Sequence, residues 1–284
     1  MKLYYRIQIL LFVFLAAFSA AAQTDPCMQT ERLDPTAQGV QIFTSNSGGD
    51  IPLAGSPYGY EMWTEGGNNN MLLWFGPNQG GGAAFRTEWN EARDYLGRVG
   101  YFMDEGKPYT DYKNLYADYN YIRSANGTAG GYSYIGIYGW TKNPQIEWYI
   151  VEDWFGDGIL SNLGILGTYK GDFTTSDGVE YKIYRNERPA GSGNILHDGK
   201  AFPQYFSVRQ RANNSPDVPM CGSVAISEHF AAWDAIDDMK MGSDLYEVKL
   251  LIEAGGGTGW FEATYVQFFQ EGEPRHTDNQ ELDD

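Results

Sequence analysis

The sequence predicts an all-β fold, an antiparallel two-sheet sandwich with one α-helix. From residue 40 to 270, short aromatic or β-branched runs alternate with turns rich in Gly, Asn and Asp. The chain holds 35 Gly, 21 Tyr and 8 Trp, a composition that suits strands joined by tight turns. Only residues 227–241 have helical spacing, with Phe230, Trp233 and Ile236 on one face. No linker and no repeat of fixed period divides this region, so we expect one domain over residues 40–270.

Composition narrows the function classes. Of the 284 residues, 42% are hydrophobic and 15% aromatic, enough for a sizeable core and too many for a mainly disordered chain. The formal net charge is −17, from 20 Lys and Arg against 37 Asp and Glu. Such an acidic surface repels phosphate backbones, so we expect no nucleic-acid partner.

The first 22 residues have the pattern of a signal peptide. Lys2 and Arg6 precede an apolar run over residues 9–18, and small residues follow at 19–22. The run is shorter than the ~20 apolar residues of a membrane span, although a membrane-anchored N-terminus is the alternative. We therefore expect residues 1–22 to be removed and the protein to be secreted (extracellular or periplasmic), with no membrane contact afterwards.

Both ends of the chain differ from the body. Residues 23–39 form an N-terminal leader that contains Cys27, which could pair with Cys221 in an oxidising compartment, although spacing alone leaves this disulfide open. Residues 271–284 hold six acids and are expected to be a disordered acidic tail. Two Cys and three scattered His give no metal-ligand spacing, so we expect neither a metal nor a cofactor.

Two strands and a hairpin stand out in the middle of the chain. Residues 132–140 place aromatics at alternate positions, with Ile135 and Ile137 on the other face, and residues 146–151 alternate again. Asn143-Pro144 lies between the two runs and indicates the turn. Further strands are predicted at 167–172, 181–185, 206–209, 245–253 and 264–269.

One sheet face is rich in aromatic and acidic side chains. The alternation puts Tyr134 with Tyr138, and Glu147 with Tyr149, on shared faces. Flat rings stack on sugars while carboxylates and hydroxyls bond the sugar rims, so this face indicates a sugar-binding groove. The alternative is a set of tyrosines that simply cap a sheet facing water.

Two glutamates are candidate catalytic groups. Glu147 lies in an apolar and aromatic strand, and Glu253 ends an apolar strand just before a glycine-rich turn. Each could be an ordinary solvated acid, but together they suit glycoside hydrolysis, which needs a proton donor and an opposing carboxylate. Glu262 competes with Glu253 but lacks the preceding apolar strand, so Glu253 is preferred.

The segment Tyr-Gly-Trp-Thr-Lys-Asn-Pro-Gln-Ile-Glu-Trp-Tyr-Ile-Val-Glu, residues 138–152, closely resembles the nucleophile signature of glycoside hydrolase family 11, the endo-β-1,4-xylanases. Further segments resemble the same family in the family's order within residues 56–269: one at 60–67 before this signature, and three after it at 202–210, 229–233 and 246–253. The resemblance implies a β-jelly roll bent like a partly closed hand. It also implies a xylan or xylo-oligosaccharide substrate, and we expect a monomer.

The resemblance assigns roles to individual residues. It implies retaining double displacement, with Glu147 as nucleophile and Glu253 as general acid/base. The substrate-binding residues it implies are Trp63, Tyr134, Tyr138, Tyr149, Arg188 and Gln204, with Asn194 and Ile195 in the thumb loop.

The sequence departs from the family pattern at three places. Glu91 occupies the position where the family has Asn or Asp beside the acid/base, unless a one-residue shift puts Asn90 there. If Glu91 is the neighbour, it would share a proton with Glu253 and move the pH optimum toward acid. Residues 189–195 carry two extra glycines in the thumb loop. Residues 99–118 are longer than usual, and are either a plain surface loop or extra sugar platforms formed by Tyr101, Tyr109, Tyr112 and Tyr116.

Two other functions stay open on the sequence alone. The chain could be a non-catalytic xylan-binding module, which the presence of both glutamates disfavours. It could also hydrolyse another β-glucan, because a Tyr- and Trp-lined groove does not by itself distinguish xylose from glucose.

Overall fold

The structure is a computed structural model that describes residues 31–44, 47–52, 57–77, 82–103, 105–126, 129–156, 163–210 and 220–273. The predicted signal peptide (1–22), Cys27, whose pairing with Cys221 the sequence leaves open, and residues 274–284 of the predicted tail lie outside the described residues. None of the helical segments in the described part of the chain has the length and apolar character of a membrane span.

Fifteen strands in the described residues form two sheets, and one α-helix packs beside them. The first sheet has the order β1 (Gln41–Phe43), β4 (Met71–Pro77), β5 (Ala83–Trp89), β15 (Gly259–Gln270), β7 (Leu115–Ala125) and β13 (Met220–Ala225). The second has the order β10 (Thr168–Thr174), β11 (Glu180–Arg188), β12 (Phe202–Arg209), β9 (Ile146–Asp153), β8 (Ser133–Lys142), β14 (Asp244–Ala254), β6 (Asp94–Phe102), β3 (Gly59–Glu65) and β2 (Ser47–Pro52). The predicted two-sheet β-sandwich with one helix is confirmed.

One strand pair differs from the predicted antiparallel pattern. β12 lies parallel to β9, with Gln204 opposite Glu147. After β9 the chain crosses to the sheet edge as β10, and two antiparallel pairings, β10 with β11 and β11 with β12, bring it back beside β9. Such a crossover makes the returning strand parallel.

Strand alternation separates a core face from a polar face in the second sheet. In β14, Val248, Leu250 and Ile252 are 0–2% exposed and belong to the main core between the sheets. Their neighbours Glu247 and Glu253 point to the other face, which we call the cleft face. A one-residue slip would exchange the two sets, so burial of the apolar set fixes the position of both glutamates.

Gly139 allows the central strands to approach closely. A Cβ built there would lie 1.9 Å from the Glu247 carbonyl oxygen and 2.3 Å from the Trp148 ring. Any side chain would therefore push β8 away from β14 or displace the buried tryptophan.

The helix is shorter than predicted. Helix α1 spans Ile226–Asp234, whereas the apolar spacing predicted a helix over residues 227–241. The Asp234 carboxylate accepts the Tyr109 hydroxyl at 2.9 Å and the Met241 backbone N–H at 2.6 Å. These bonds turn the following residues back onto the helix end instead of extending it.

His229 in α1 is a buried neutral histidine. It is 0% exposed, and neither ring nitrogen has a hydrogen-bond partner among the residues that the structure describes. Its ring packs edge-on to Tyr181, with the ring centroids 4.5 Å apart. Burial lowers the pKa of His229 to about 3, and the negative charge of Asp177 only partly opposes this.

Because the pKa of His229 is lower in the folded than in the unfolded chain, its contribution to stability is lost as the pH falls from about 6.5 toward 3. We expect this one group to remove roughly 1.4 kcal/mol of unfolding free energy for each pH unit in that window. Denaturant unfolding at pH 4 and 7 measures the unfolding free energy at each pH. In His229→Phe this free energy should fall less between pH 7 and pH 4 than in the parent protein, by the amount given above. The exposed His197→Asn variant should leave this fall unchanged. An identical slope in His229→Phe would contradict the assignment.

Candidate active site

Three adjacent strands bring the two predicted glutamates together. In the sheet, β8 lies between β9 and β14, with Glu147 of β9 opposite Trp140 and Glu253 of β14 opposite Tyr134. Both carboxylates are on the cleft face, and each is 8% exposed. Tyr138 of β8 lies one row along from Trp140, opposite Tyr149 of β9 and Lys249 of β14.

Glu147 is held by three donors. Its Oε1 accepts the hydroxyls of Tyr138 at 2.7 Å and Tyr149 at 3.0 Å, and its Oε2 accepts Gln204 Nε2 at 2.6 Å. Asn186 Nδ2 donates to Gln204 Oε1 at 2.8 Å, which fixes the orientation of that amide. An ionised carboxylate offers only acceptor sites, so this donor set suits a charged Glu147 and leaves little freedom of rotation.

Tyr149 links the two carboxylates. Its hydroxyl oxygen lies 3.0 Å from Glu147 Oε1 and 3.1 Å from Glu253 Oε2. Because the two distances share this atom, the carboxylate oxygens lie within about 6 Å of each other, less than the roughly 6.5–9.5 Å of an inverting glycosidase pair. A phenol has one hydrogen to donate, so Tyr149 hydrogen-bonds to both carboxyls at once only when one of the two carries a proton.

The surroundings of Glu253 favour that proton. Burial raises the pKa of Glu253 well above its usual value, and the negative charges of Asp94 and Glu147 raise it further. The Tyr149 hydroxyl and the Arg98 charge oppose the rise only in part. The two glutamates therefore have different surroundings. Glu147 is surrounded by hydrogen-bond donors, whereas Glu253 is buried near negative charges.

The prediction that Glu91 neighbours Glu253 is wrong. Glu91 lies in a turn with φ of 53° and is exposed, and its carboxylate accepts the Thr258 hydroxyl at 3.1 Å. The alternative, Asn90, also bonds Thr258, at 3.0 Å. The carboxyl that acts on Glu253 is Asp94 at the start of β6. Glu91 lies in the turn before β6, and Asp94 is the first residue of that strand.

Asp94 is half-enclosed by cleft side chains. Its Oδ1 accepts the Tyr132 hydroxyl at 3.0 Å, and Tyr132 stacks on Tyr134 with ring centroids 5.4 Å apart. Burial raises the pKa of Asp94, the Tyr132 hydroxyl lowers it, and Arg188 opposes the rise as well. Arg188 is exposed at the end of β11.

Trp63 and Tyr134 lie in one row across the cleft face. Trp63 pairs with Leu96, which in turn pairs with Glu253, and Glu253 pairs with Tyr134. Trp63 is 51% exposed, unusual for a large ring, and so offers a flat apolar surface beside the carboxylates.

The thumb loop, residues 189–201 between β11 and β12, is braced by its own side chains. Asn194 Nδ2 donates to Asp198 Oδ1 at 3.0 Å and to the Lys200 carbonyl at 3.3 Å. Gln145 Nε2, in the β8–β9 turn, reaches the same Asp198 oxygen at 3.4 Å. Ile195 packs against the aromatic cluster of the cleft face. Of the two predicted thumb residues, Ile195 faces the cleft, while Asn194 uses its amide within the loop.

Glu262, the competing candidate for the acid/base, lies away from the cleft and makes structural contacts. It lies in β15 of the first sheet, is 0% exposed and forms an ion pair with Arg86. Its Oε1 accepts the Leu33 backbone N–H at 2.7 Å, and Arg86 donates to the Leu33 carbonyl at 2.6 Å. Glu262 thus fastens part of the predicted leader to the back of the sandwich.

Sequence reasoning missed Asp94, Asn186 and Tyr132. Period-two alternation from Asp94 through Leu96 would have placed Asp94 on the cleft face, so the signal was present. Tyr132 belongs to the predicted run of alternating aromatics, but its bond to Asp94 and the bond of Asn186 to Gln204 join different strands, and the local sequence carries no signal for such contacts.

The family model described as glycosyl hydrolases family 11 matches residues 56–264. The chain belongs to glycosyl hydrolase family 11. The matched range of this family 11 chain runs from the residues before β3 into β15 and includes every residue of the cleft described above.

Named relatives agree with this family 11 membership. The chain is 40% identical over 222 residues to endo-1,4-beta-xylanase C of Fibrobacter succinogenes, covering 78% of this chain and 33% of that protein. It is 38% identical over 241 residues to endo-1,4-beta-xylanase S20 of Neocallimastix patriciarum, covering 84% of this chain and 64% of that protein. The family 11 chain thus spans between a third and two thirds of the length of these relatives.

A solved structure gives the same fold. The crystal structure of wild-type ENZbleach xylanase matches with a TM-score of 0.75 and 45% sequence identity, covering 87% of this chain and 92% of that chain. The predicted β-jelly roll is thereby confirmed for this family 11 chain.

Proposed function

We propose that the protein is a secreted endo-β-1,4-xylanase that hydrolyses internal bonds of xylan with retention of configuration. The observation that carries the proposal is the pair of carboxylates joined by the Tyr149 hydroxyl, whose oxygens lie at most about 6 Å apart. This limit is below the roughly 6.5–9.5 Å of inverting enzymes and is compatible with the roughly 5–5.5 Å of retaining ones. The names of the two relatives reported above, both endo-1,4-beta-xylanases, support the substrate.

In the first step, Glu147 attacks the anomeric carbon while Glu253 donates its proton to the leaving oxygen. The glycosidic C–O bond breaks, a Glu147–sugar ester forms, and the shortened chain leaves as an alcohol. The hydroxyls of Tyr138 and Tyr149 and the amide of Gln204 hold Glu147 in line. The high proton affinity of Glu253 keeps its carboxyl group protonated, so that it can act as the proton donor.

In the second step, Glu253 acts as a base. Once Glu147 is esterified it is neutral, so one of the negative charges that raise the pKa of Glu253 is gone. Glu253 can then accept a proton from water, which attacks the anomeric carbon and releases Glu147. Two inversions give net retention. No step requires a metal or an organic cofactor.

Substrate choice is tested by direct comparison. Trp63 and the Tyr134 row suit a β-linked sugar chain of either pentoses or hexoses, because rings stack on both. We expect reducing-sugar release from xylan to exceed that from carboxymethylcellulose and mixed-linkage glucan by at least about a hundredfold. Comparable rates on glucan would favour the broader β-glucanase, and binding of xylan without hydrolysis would favour the non-catalytic module.

Export and a monomeric state are further parts of the proposal. The basic flank, apolar run and small residues over 1–22 support removal of a signal peptide. Mass spectrometry of exported protein should give a chain that begins at Gln23, and light scattering should give the mass of one chain. A retained N-terminus or a dimer mass would overturn the respective part.

Asp94→Asn should move the pH optimum upward. While Asp94 is ionised it makes Glu253 hold its proton more tightly, so Glu253 is a weak donor until Asp94 is itself protonated at lower pH. Asparagine removes this requirement, so the maximum of kcat/KM on xylohexaose should rise by roughly one pH unit. Glu91→Gln is the matched control and should leave the optimum in place. An unmoved or more acidic optimum in Asp94→Asn would contradict the coupling.

A further inference from the structure

Four buried charged residues form a cluster beside the catalytic cleft, apart from Glu147 and Glu253. Glu61 of β3, Arg98 of β6, and Glu247 and Lys249 of β14 are each 0–8% exposed. Their formal charges cancel. Burying such a group costs solvation, and an apolar set of similar volume is often as stable, so the cluster is weak evidence for stability alone.

The contacts of the cluster fix Arg98 in one place. Arg98 Nε donates to Glu61 Oε2 at 2.5 Å, and a second guanidinium nitrogen contacts the same carboxylate. Arg98 Nη2 also lies 3.5 Å from Glu247 Oε1. Lys249 joins the two acids from the other side, with Nζ 2.6 Å from Glu61 Oε2 and in contact with Glu247. A guanidinium held by two acids has little rotational freedom.

The held guanidinium lies over the ring of Tyr138. Arg98 Cζ is 4.6 Å from the Tyr138 ring centroid, within the range of a cation–π contact. Tyr138 is 1% exposed, and its hydroxyl donates to Glu147 Oε1 at 2.7 Å while it accepts the Trp140 indole N–H. The Tyr138 side chain therefore contacts both Arg98 of the charged cluster and Glu147, the proposed nucleophile.

We propose that Arg98 is a positioning residue for hydrolysis, which holds the Tyr138 ring so that its hydroxyl stays on the Glu147 carboxylate. The inference rests on the proposed function, because it gives Glu147 the role of nucleophile. Glu61, Glu247 and Lys249 hold Arg98 in turn, and their burial keeps water from competing for the guanidinium.

The positive charge of Arg98 also affects the Tyr138 hydroxyl. Burial raises the pKa of Tyr138 well above its usual value, and the positive charge of Arg98 lowers it. A more acidic phenol is a stronger donor to the carboxylate. Arg98 thus acts on the strength of this hydrogen bond as well as on its direction.

The test is a double-mutant cycle between Arg98→Met and Tyr138→Phe, with kcat and KM measured on xylohexaose. We expect Arg98→Met to lower kcat on the order of tenfold to a hundredfold and to change KM less than about threefold, because the nucleophile is misplaced while distal subsites remain. The double variant should be no slower than the slower single variant, within about threefold, since both act through one hydroxyl. Arg93→Met, which removes an exposed arginine nearby, is the matched control and should leave kcat unchanged.

Folding is separated from positioning by a charge-balanced variant. Arg98→Met alone leaves an unpaired buried acid, whereas Glu61→Gln with Arg98→Met leaves Glu247 opposite Lys249. This balanced variant should fold and show the same loss of kcat. Multiplicative losses in the cycle, a parent-like kcat in the balanced variant, or a loss confined to KM would each overturn the inference.

The outcome for Arg98 is distinguishable from that for the proposed function. If Glu147→Gln keeps its activity, the proposed function fails whatever the Arg98 variants do. If Glu147→Gln is inactive and the folded Arg98 variants match the parent enzyme, only the positioning role fails.

Discussion

Glu147→Gln is expected to lower kcat on xylan by at least about 10⁴-fold, because it removes the group proposed to form the covalent bond to the sugar. The amide nearly matches the carboxylate in shape and stays beside Tyr138, Tyr149 and Gln204, so the fold and substrate affinity should persist. Reducing-sugar assays with purified protein measure kcat, and thermal unfolding checks the fold. Glu180→Gln, which changes an exposed glutamate on β11, is the control.

The role of Glu147 can be separated from a general loss of activity. In Glu147→Ala, azide should enter the vacated space and attack an activated aryl β-xylobioside from the nucleophile's side. The product should be the α-xylobiosyl azide, formed by a single inversion. Near-parent activity of Glu147→Gln, or a β-configured azide from Glu147→Ala, would remove the assignment.

Glu253→Gln is expected to lose about 10²–10⁴-fold of kcat on xylan, because the leaving sugar oxygen then departs without a proton. The loss should nearly vanish for the first step with an aryl β-xylobioside whose phenol is a good leaving group. Release of that phenol should show a fast burst followed by slow turnover, because the second step still lacks its base. Stopped-flow absorbance measures both phases.

Azide again distinguishes the role. In Glu253→Ala, azide should attack the glycosyl-enzyme ester from the opposite face and give the β-xylobiosyl azide. Equal losses on xylan and on the activated aryl substrate would contradict a proton-donor role for Glu253.

The sequence was most informative where one face of a strand packs in the core and the other carries polar and aromatic side chains. Around Tyr138 and Glu147, period-two alternation fixes which side chains share a face, since a slip of one residue would expose the core set. The apolar residues of β14 likewise determine that Glu253 points into the cleft. These local patterns put Glu147 and Tyr149 on one face of their strand, and the pairing of β9, β8 and β14 in the structure brings Glu253 to the same sheet face.

Local patterns could not predict contacts made across strands. Alternation in β6 indicates the face on which Asp94 lies, but not that its charge acts on Glu253 of β14. The left-handed backbone of Glu91 before β6 has no reliable sequence signal. The cluster around Arg98 joins strands β3, β6 and β14, which are distant in sequence. Glu247 and Lys249 alternate with the core residues of β14 as Glu253 does, but their partners on β3 and β6 could be known only from the sheet order.

The end of α1 and the parallel strand pair have the same explanation. Apolar spacing continues to Ile236, yet Asp234 bonds Tyr109 and Met241 and ends the helix. The β9–β12 pairing depends on a crossover whose direction no strand pattern encodes. Tertiary contacts thus decided what propensity left open.

The anomeric configuration of the first product tests the central claim, that two carboxylates too close for an intervening water act by double displacement. Proton NMR during hydrolysis of xylohexaose, recorded before mutarotation, resolves the α and β forms of the new reducing end. We expect the β form to appear first and the α form only as mutarotation proceeds. Initial release of the α form would mean single displacement and would contradict the account.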